Sequence, residues 1–172
     1  MRARLGDAIP RAYRLFPVEI PLWLQLLFVA TGSDLSLYGM HRATPRIGWL
    51  WRLHAPHYSA ERLYWLNGER RHSLHAALMA GPGLISLLLL GAPSAVVATW
   101  LGILTVHLAF QHSNLGYRLG PLRFMIGVAE THRQYHKREF EDAQVNFGEF
   151  FLLGSSARHL LRQCRQDRSG GN

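Results

Sequence analysis

The feature that most constrains the fold is a run of 46 residues, 72–117, without a single Asp, Glu, Lys or Arg. A soluble domain rarely needs so long an uncharged run. A membrane hairpin does, because each span requires about 20 apolar residues. The sequence GAPS at 91–94 divides the run near its middle with the glycine and proline of a tight turn. The run therefore predicts two membrane segments, over roughly 74–90 and 93–111.

An earlier apolar stretch, residues 17–40, predicts a third membrane segment, although it contains Glu19 and Asp34. It starts late, runs long and lacks a small-residue cleavage site, which excludes a cleavable signal peptide. Fifteen of the 19 basic residues lie in the loop 41–73 and the tail 112–172. Basic loops face the cytoplasm, so both regions are expected on that side of the cell (inner) membrane.

The length of 172 residues allows one domain. We expect a basic interfacial N-terminus over 1–16, a single membrane domain over 17–160 and a disordered tail over 161–172. Either residues 1–16 lie along the interface as an amphipathic helix, or the first segment re-enters the membrane. The predicted fold class is all-α: an integral membrane helical bundle of about three membrane segments with a histidine-rich cytoplasmic cap.

Charge and motifs exclude several functions. The net charge of +8 flanks apolar spans, which favours anionic lipid headgroups over nucleic acid as the partner. The single cysteine, Cys164, excludes a disulfide framework and a thiolate zinc ribbon. The sequence contains no P-loop, no GxGxxG and no nucleophile elbow.

The histidines are the main candidates for chemistry. All ten lie at or after position 41, and nine of them adjoin the predicted spans: His41, His54, His57, His72, His75, His107, His112, His132 and His136. A lone histidine on an apolar face is more often structural than a ligand. Nine titratable rings at one membrane face, however, are costly to bury without a shared cation. Imidazole suits zinc, copper, iron and nickel, and this number of nitrogens allows two metal ions.

Several histidine pairs are spaced by about one helical turn, so both members share a helix face. These pairs are His54 and His57, His72 and His75, and His132 and His136. His107 and His112 are five residues apart, about 140° around an ideal helix. They can share one ion only if the helix ends or bulges near Gln111.

Asp34 is the acid nearest to His41 in the apolar stretch 17–40. It precedes His41 by seven residues, which places it on the same helix face and about 10 Å deeper in the membrane. An acid at that depth needs a partner, and it could orient a metal-binding histidine. Alternatively, Asp34 caps a helix break at TGSD, residues 31–34. Both interpretations stay open at this point.

Five segments carry a resemblance to a known family. They are DLSLYGMHR, LWRLHAPHYSAERLYWLNGERRH, FQHSN, GPLRF and THRQYHKREFEDAQVNFGE, in this order over roughly residues 34–150. Together they resemble the successive signatures of the fatty acid hydroxylase/sterol desaturase superfamily. The resemblance implies an integral membrane enzyme whose cytoplasmic cap covers a histidine-rich di-iron centre. Such enzymes use O2 and electrons from a partner protein to hydroxylate or desaturate lipids and sterols.

Carried over residue by residue, the resemblance implies seven metal ligands, with His72 as an eighth candidate: His41, His54, His57, His107, His112, His132 and His136. His75 has no clear counterpart and is expected to be structural. Three family histidines are replaced, by Pro45, Tyr58 and Tyr135, and the closing tryptophan-aspartate signature is missing. Residues expected to support the ligands, by orienting them or packing against them, are Asp34, Tyr58, Tyr135 and Asn146.

Three functions follow. The first is a membrane-bound non-haem iron oxygenase, a hydroxylase or desaturase, acting on a lipid, sterol or isoprenoid substrate. It would hold two irons, or only one, and use O2 as co-substrate. Its electrons would come from a separate donor protein, because no flavin, haem or nicotinamide motif is present. The alternative is a non-catalytic, metal-poor accessory or assembly subunit that retains the fold. A weaker third hypothesis is a zinc hydrolase with Glu130 as general base. An oligomer is left open.

Overall fold

The computed structural model describes residues 15–59, 64–66, 70–117, 119–129, 132 and 149–152, without the side chains of Tyr58 and Phe124. This part of the chain contains helices and no strand, so the predicted all-α class is confirmed for it. The four α-helices are α1 (Leu22–Ala43), α2 (Gly48–Tyr58), α3 (Ser73–Leu89) and α4 (Ser94–Gln111). Two short 3-10 helices cover Thr44–Arg46 and Gly120–Phe124. The tail 161–172 and almost all of the N-terminal segment 1–16 lie outside the described residues.

The tight turn expected at GAPS is confirmed. Helix α3 ends at Leu89, and the chain then turns at Gly91, whose φ of 91° lies in the left-handed region that glycine adopts without strain. Pro93 follows as the N-cap of α4, with a φ of −60°. The short turn joins α3 to α4, and each of these two helices packs against α1.

Helix α1 runs without interruption through TGSD, residues 31–34, so the interpretation of Asp34 as the cap of a helix break is wrong. Two hydroxyl groups in this segment donate hydrogen bonds to carbonyls of the helix itself. Thr31 Oγ1 donates to Leu27 O at 2.8 Å, and Ser33 Oγ donates to Ala30 O at 3.1 Å. The polar side chains are thus satisfied locally, and the helix does not need to open.

The core lies where α1 packs against both α3 and α4. Its fully buried members include Val29 of α1 and Met79 of α3, and Trp100 of α4 donates a hydrogen bond from Nε1 to Ser33 Oγ at 2.6 Å. Gly83 marks the closest approach of α3 to α1, because a Cβ built there would lie 2.8 Å from Ser36 Cβ. Small residues at such a crossing allow two helix backbones to pack closely.

The long helices carry apolar side chains on their outer surfaces and polar side chains inside. Exposed apolar residues on α1, α3 and α4 include Trp23, Leu27, Phe28, Leu35, Ile85, Leu89, Ile103, Val106 and Phe110. Buried polar residues on α1 and α4 include Gln25, Ser33, Asp34 and Gln111. By length and composition, α4 could cross a membrane, and α3 is a shorter apolar helix. The three-segment membrane bundle with its cytoplasmic cap stays a prediction.

Candidate metal centre

Several helix ends meet at one end of the bundle and bring histidines together. Helix α1 ends just after His41, α3 begins just before His75, and α4 ends just before His112. The short helix α2 crosses this end and supplies His54 and His57 from one face, as their spacing predicts. All five rings are buried.

The rings form a continuous contact network. His54 lies at its middle, with ring-centroid distances of 5.3 Å to His41, 5.2 Å to His57 and 4.5 Å to His75. The network continues from His57 to His112, at 5.2 Å, and from His112 to His132, at 4.3 Å. Nine-tenths or more of each of these side chains is withdrawn from solvent. Such a concentration of buried imidazoles is typical of a metal centre.

Three of these histidines are close enough to hold one metal ion. One ring nitrogen from each of His57, His112 and His132 lies within 4.8 Å of the other two. The Nε2 atoms of His112 and His132 are 2.9 Å apart. Two nitrogens that each lie about 2.1 Å from one ion are typically separated by about 3 Å, so this spacing fits a shared ion as well as a direct hydrogen bond.

The environment of His112 prepares its ring for ligation. Nδ1 lies 2.8 Å from the carbonyl oxygen of Leu108, which is placed to accept a hydrogen bond from Nδ1–H. That tautomer leaves the lone pair on Nε2, the nitrogen directed at His132. Burial lowers the pKa of His112, an effect that the Leu108 carbonyl and the carboxylate of Glu149 partly oppose. The ring is therefore neutral at pH 7, as a metal ligand must be.

A buried carboxylate lies beside His41 in the cluster. Glu149 Oε1 is 3.2 Å from Nδ1 of His41, and both side chains are almost fully buried. Burial by itself would raise the pKa of Glu149, but its neighbours, His41 and Arg71 foremost, bring it below its ordinary value. Glu149 is thus an anion at neutral pH, enclosed beside the histidine rings.

Asp34 reaches this site through the backbone next to Glu149. Its two carboxylate oxygens accept hydrogen bonds from the N–H groups of Phe150, at 2.7 Å, and Phe151, at 3.1 Å. Asp34 is fully buried on α1, two turns before His41. The role of Asp34 in supporting a metal-binding histidine stays a prediction. Its hydrogen bonds fix the backbone segment that carries Glu149.

His107 and His72, two further predicted ligands, lie outside the close trio. Helix α4 ends at Gln111, as joint ligation by His107 and His112 required, yet the ring of His107 packs against Phe150 with centroids 4.4 Å apart. His72 is exposed and caps α3, its Nδ1 accepting the N–H of Leu74 at 3.2 Å. The predictions for His136, Tyr135 and Asn146, and for the side chain of Tyr58, lie outside the described residues.

Two members of the cluster were not predicted from the sequence as site residues. His75, expected to be structural, is fully buried against His54, and neither of its ring nitrogens has a hydrogen-bond partner among the described residues. Its spacing of three from His72 was the available signal. Glu149 ends the last of the five segments that carry the family resemblance, but the sequence did not mark it as a site residue, because only the tertiary fold brings it to His41.

These observations fit a resident metal. A trio of buried imidazoles within reach of one ion matches the donors that iron accepts in proteins. The two ring nitrogens of His75 are a further sign, because they find no hydrogen-bond partner in the part of the chain that the structure describes, and buried polar atoms are normally hydrogen-bonded. The residues that would hold the metal are therefore the trio, with the neighbouring rings and Glu149 around them.

Comparison with known proteins agrees with this geometry. The family model described as fatty acid hydroxylase matches residues 26–155. The chain belongs to the fatty acid hydroxylase family. This family is generally iron-dependent and membrane-associated, and the resemblance predicted from the sequence is confirmed.

One curated relative of this fatty acid hydroxylase family member is the ornithine lipid hydroxylase OlsE of Rhizobium tropici. The two proteins are 32% identical over 139 residues, which cover 80% of this chain and 42% of the relative. The chain thus spans well under half of the length of the relative that it matches. No solved structure matches the chain significantly.

Proposed function

We propose that this member of the fatty acid hydroxylase family is a membrane-bound non-haem iron oxygenase that hydroxylates a membrane lipid. The observation that carries the proposal is the buried trio of His57, His112 and His132, whose ligand nitrogens lie within 4.8 Å of one another. Family membership supplies the reaction class, and the trio supplies a place for the metal. We propose iron as that metal, in two ions or one.

The reaction would convert a C–H group, O2, two electrons and two protons into a C–OH group and water. Bound iron would supply the activation of O2. The protein's own residues have simpler tasks: the imidazoles hold the metal, and the carbonyl of Leu108 orients His112. Burial of the cluster keeps bulk water away from the site. The two electrons would come from a separate donor protein.

The helix surfaces support a lipid substrate and a membrane location. The outward side chains of α1, α3 and α4 are largely apolar, and large exposed apolar surfaces mark membrane or partner contacts. The histidines lie at one end of these helices, where a lipid could enter from the bilayer. We propose that this end faces the cytoplasm, the side favoured by the basic residues of the loops.

The named relative suggests the first substrate to test. OlsE is an ornithine lipid hydroxylase, and 80% of this chain matches 42% of it. We therefore propose an amino-acid-linked lipid, with ornithine lipid as the first member to test. This choice rests on similarity, and the position of hydroxylation is left to the product analysis.

A second candidate, the metal-poor accessory subunit, is favoured by one observation. Three positions that hold histidine in the family are occupied here by Pro45, Tyr58 and Tyr135. A protein that no longer catalyses a reaction would lose metal ligands in this way. The buried trio argues against that history, because buried imidazoles without a cation are costly to keep.

The test combines metal analysis and product analysis. The full chain would be purified from iron-supplemented cells in mild detergent, and its iron per chain would be measured by mass spectrometry. Extracts of cells that make ornithine lipid would be searched for a product heavier by one oxygen atom. Stoichiometric iron together with this product would support the proposal.

His57→Ala and His72→Ala form a matched pair for the same experiment, since one histidine belongs to the trio and the other is an exposed helix cap. Iron and product should be lost in the first variant and kept in the second. A wild-type protein that folds but binds no metal would leave the accessory subunit as the better hypothesis. Stoichiometric zinc without iron would favour the hydrolase.

A further inference from the structure

Glu149 is a buried anion for which the family resemblance provides no role. Its side chain is 4% exposed, and Oε1 lies 3.2 Å from Nδ1 of His41. We propose that Glu149 is a ligand of the metal centre, which makes this centre a mixed histidine–carboxylate site. The inference rests on the proposed function, because it requires that a metal binds to the histidine cluster.

The protein backbone fixes the position of Glu149 from several directions. The carbonyl of Glu149 accepts a hydrogen bond from Nε2 of Gln111 at 3.0 Å. The next two N–H groups donate to Asp34, and the carbonyl of Phe150 accepts the N–H of Gly127 at 2.8 Å. Side chains that bind a metal need this kind of support, since a ligand must be held within about 0.5 Å of its working geometry.

The anchors come from distant parts of the sequence. Asp34 belongs to α1, Gln111 is the last residue of α4, and Gly127 follows the second 3-10 helix. If the segment 149–152 served only to pack against the helices, it would not need a fully buried acid beside His41. Isolated buried carboxylates cost several kcal/mol or more, and such groups are normally paired with a cation or coordinate a metal.

The chemistry of the cluster favours coordination over simple pairing with His41. Arg71 already offsets part of the charge of Glu149, and His41 does so only when it is protonated. A metal cation would add to both and would offset the carboxylate at any pH at which it is bound. His75, on the same side of the cluster, has two buried ring nitrogens without a hydrogen-bond partner among the described residues. This side therefore contains both an anion and unused nitrogen donors.

Ligation by Glu149 would also compensate for the histidines that are missing from the family motifs. Pro45, Tyr58 and Tyr135 stand where three imidazoles are expected, which leaves the centre short of donors. Iron accepts both imidazole and carboxylate ligands. One carboxylate near His41 would restore a donor and reduce the positive charge of the centre.

Metal binding by the Glu149→Gln variant tests the proposal without relying on activity. Gln preserves the volume and removes the charge, and Glu19→Gln is the matched control because Glu19 is exposed. The full chain, stripped of metal, would be titrated with Fe(II) under anaerobic conditions. Separately, Co(II) would be added and its visible d–d absorption recorded. We expect Fe(II) to bind at least about tenfold more weakly to Glu149→Gln, with a shifted Co(II) spectrum and an unchanged control.

Equal Fe(II) affinity and an unchanged Co(II) spectrum in Glu149→Gln would overturn the proposal. Weaker binding with an unchanged Co(II) spectrum would overturn it as well, because Glu149 would then only orient His41. If Glu149→Gln does not fold, Glu149→Asp decides, since it keeps the charge and shortens the side chain. A shifted Co(II) spectrum supports ligation, and an unchanged one excludes it. A wild-type protein that binds neither metal would instead contradict the proposed function.

Discussion

The histidine cluster has two unlike halves. The imidazole half consists of His57, His112 and His132, whose ligand nitrogens already lie within 4.8 Å of one another. The carboxylate half consists of His41, His54, His75 and Glu149, which are linked by ring contacts and by the 3.2 Å pair of His41 and Glu149. The first half is built mainly by α2 and the end of α4, and the second mainly by α1, α3 and the segment 149–152.

Under the two proposals above, one metal centre would draw on two kinds of donor. In the imidazole half, a carbonyl orients the ligand ring and burial keeps it neutral. In the carboxylate half, a charged residue is held by hydrogen bonds to the backbone around it. Metal affinity should therefore depend most on the imidazole half, and the carboxylate half should adjust it.

The largest expected effect is on iron binding, when one histidine from each half is replaced. His112→Gln should lower iron affinity and hydroxylation by about 100-fold or more, because it removes a ligand from the trio. His75→Gln should lower both by about tenfold, since the trio stays intact. Iron per chain and product per chain would be measured for both variants. Equal losses would mean that the two halves do not differ in importance.

The second effect concerns the anchor of the carboxylate half. Asp34→Ala removes the acceptor of the Phe150 and Phe151 N–H groups, and each unsatisfied buried donor costs about 1–3 kcal/mol. We expect a lower unfolding temperature and weaker metal binding, with a smaller loss in Asp34→Asn, whose amide oxygen still accepts. Thermal unfolding in detergent, with Glu19→Gln as control, measures this. If Asp34→Ala leaves the unfolding temperature unchanged, the segment 149–152 does not depend on α1 for its position.

The third effect is on stability, and it tests the close approach of α3 to α1, two helices that build the carboxylate half. At Gly83 a Cβ would lie 2.8 Å from Ser36 Cβ, so Gly83→Ala must push α3 and α1 apart. We expect a loss of about 1–3 kcal/mol in the free energy of unfolding. Gly81→Ala is the control on the same helix, because a Cβ there meets nothing within 4 Å, and it should be neutral or stabilising by up to about 1 kcal/mol. Similar melting temperatures for the two variants would contradict the close crossing.

The smallest effect is the pH dependence of the metal-free protein. His112 has a lowered pKa in the fold, so the unfolded chain binds its proton first, and stability falls as pH drops below about 6.5. Glu149 also has a lowered pKa, and its contribution is lost at lower pH, below about 4.5. Denaturant unfolding between pH 8 and 4 checks both, and His112→Gln should reduce the fall in stability below about pH 6.5. An equal fall in the wild type and in His112→Gln would contradict the contribution of His112.

Local patterns in the sequence predicted the parts of this fold that depend on local interactions. The GAPS turn follows from glycine and proline, and the helices on either side of it follow from the uncharged run. The shared face of His54 and His57 follows from helical periodicity. The end of α4 at Gln111 meets the condition for His107 and His112 to share an ion, whereas the contact of the His107 ring with Phe150 could not be predicted. Helical periodicity predicts the angle between two side chains around the helix axis. It does not predict which residue of another helix each side chain contacts.

The sequence by itself determined the helical class, the turn, the family and most of the histidines that deserve testing. Only the tertiary structure decided which of them meet: it placed His75 inside the cluster, left His72 at an exposed helix cap and brought Glu149 to His41. The physical reason is sequence separation. Glu149 lies 108 residues after His41, and its position depends on anchors from α1 and α4, which no local pattern encodes.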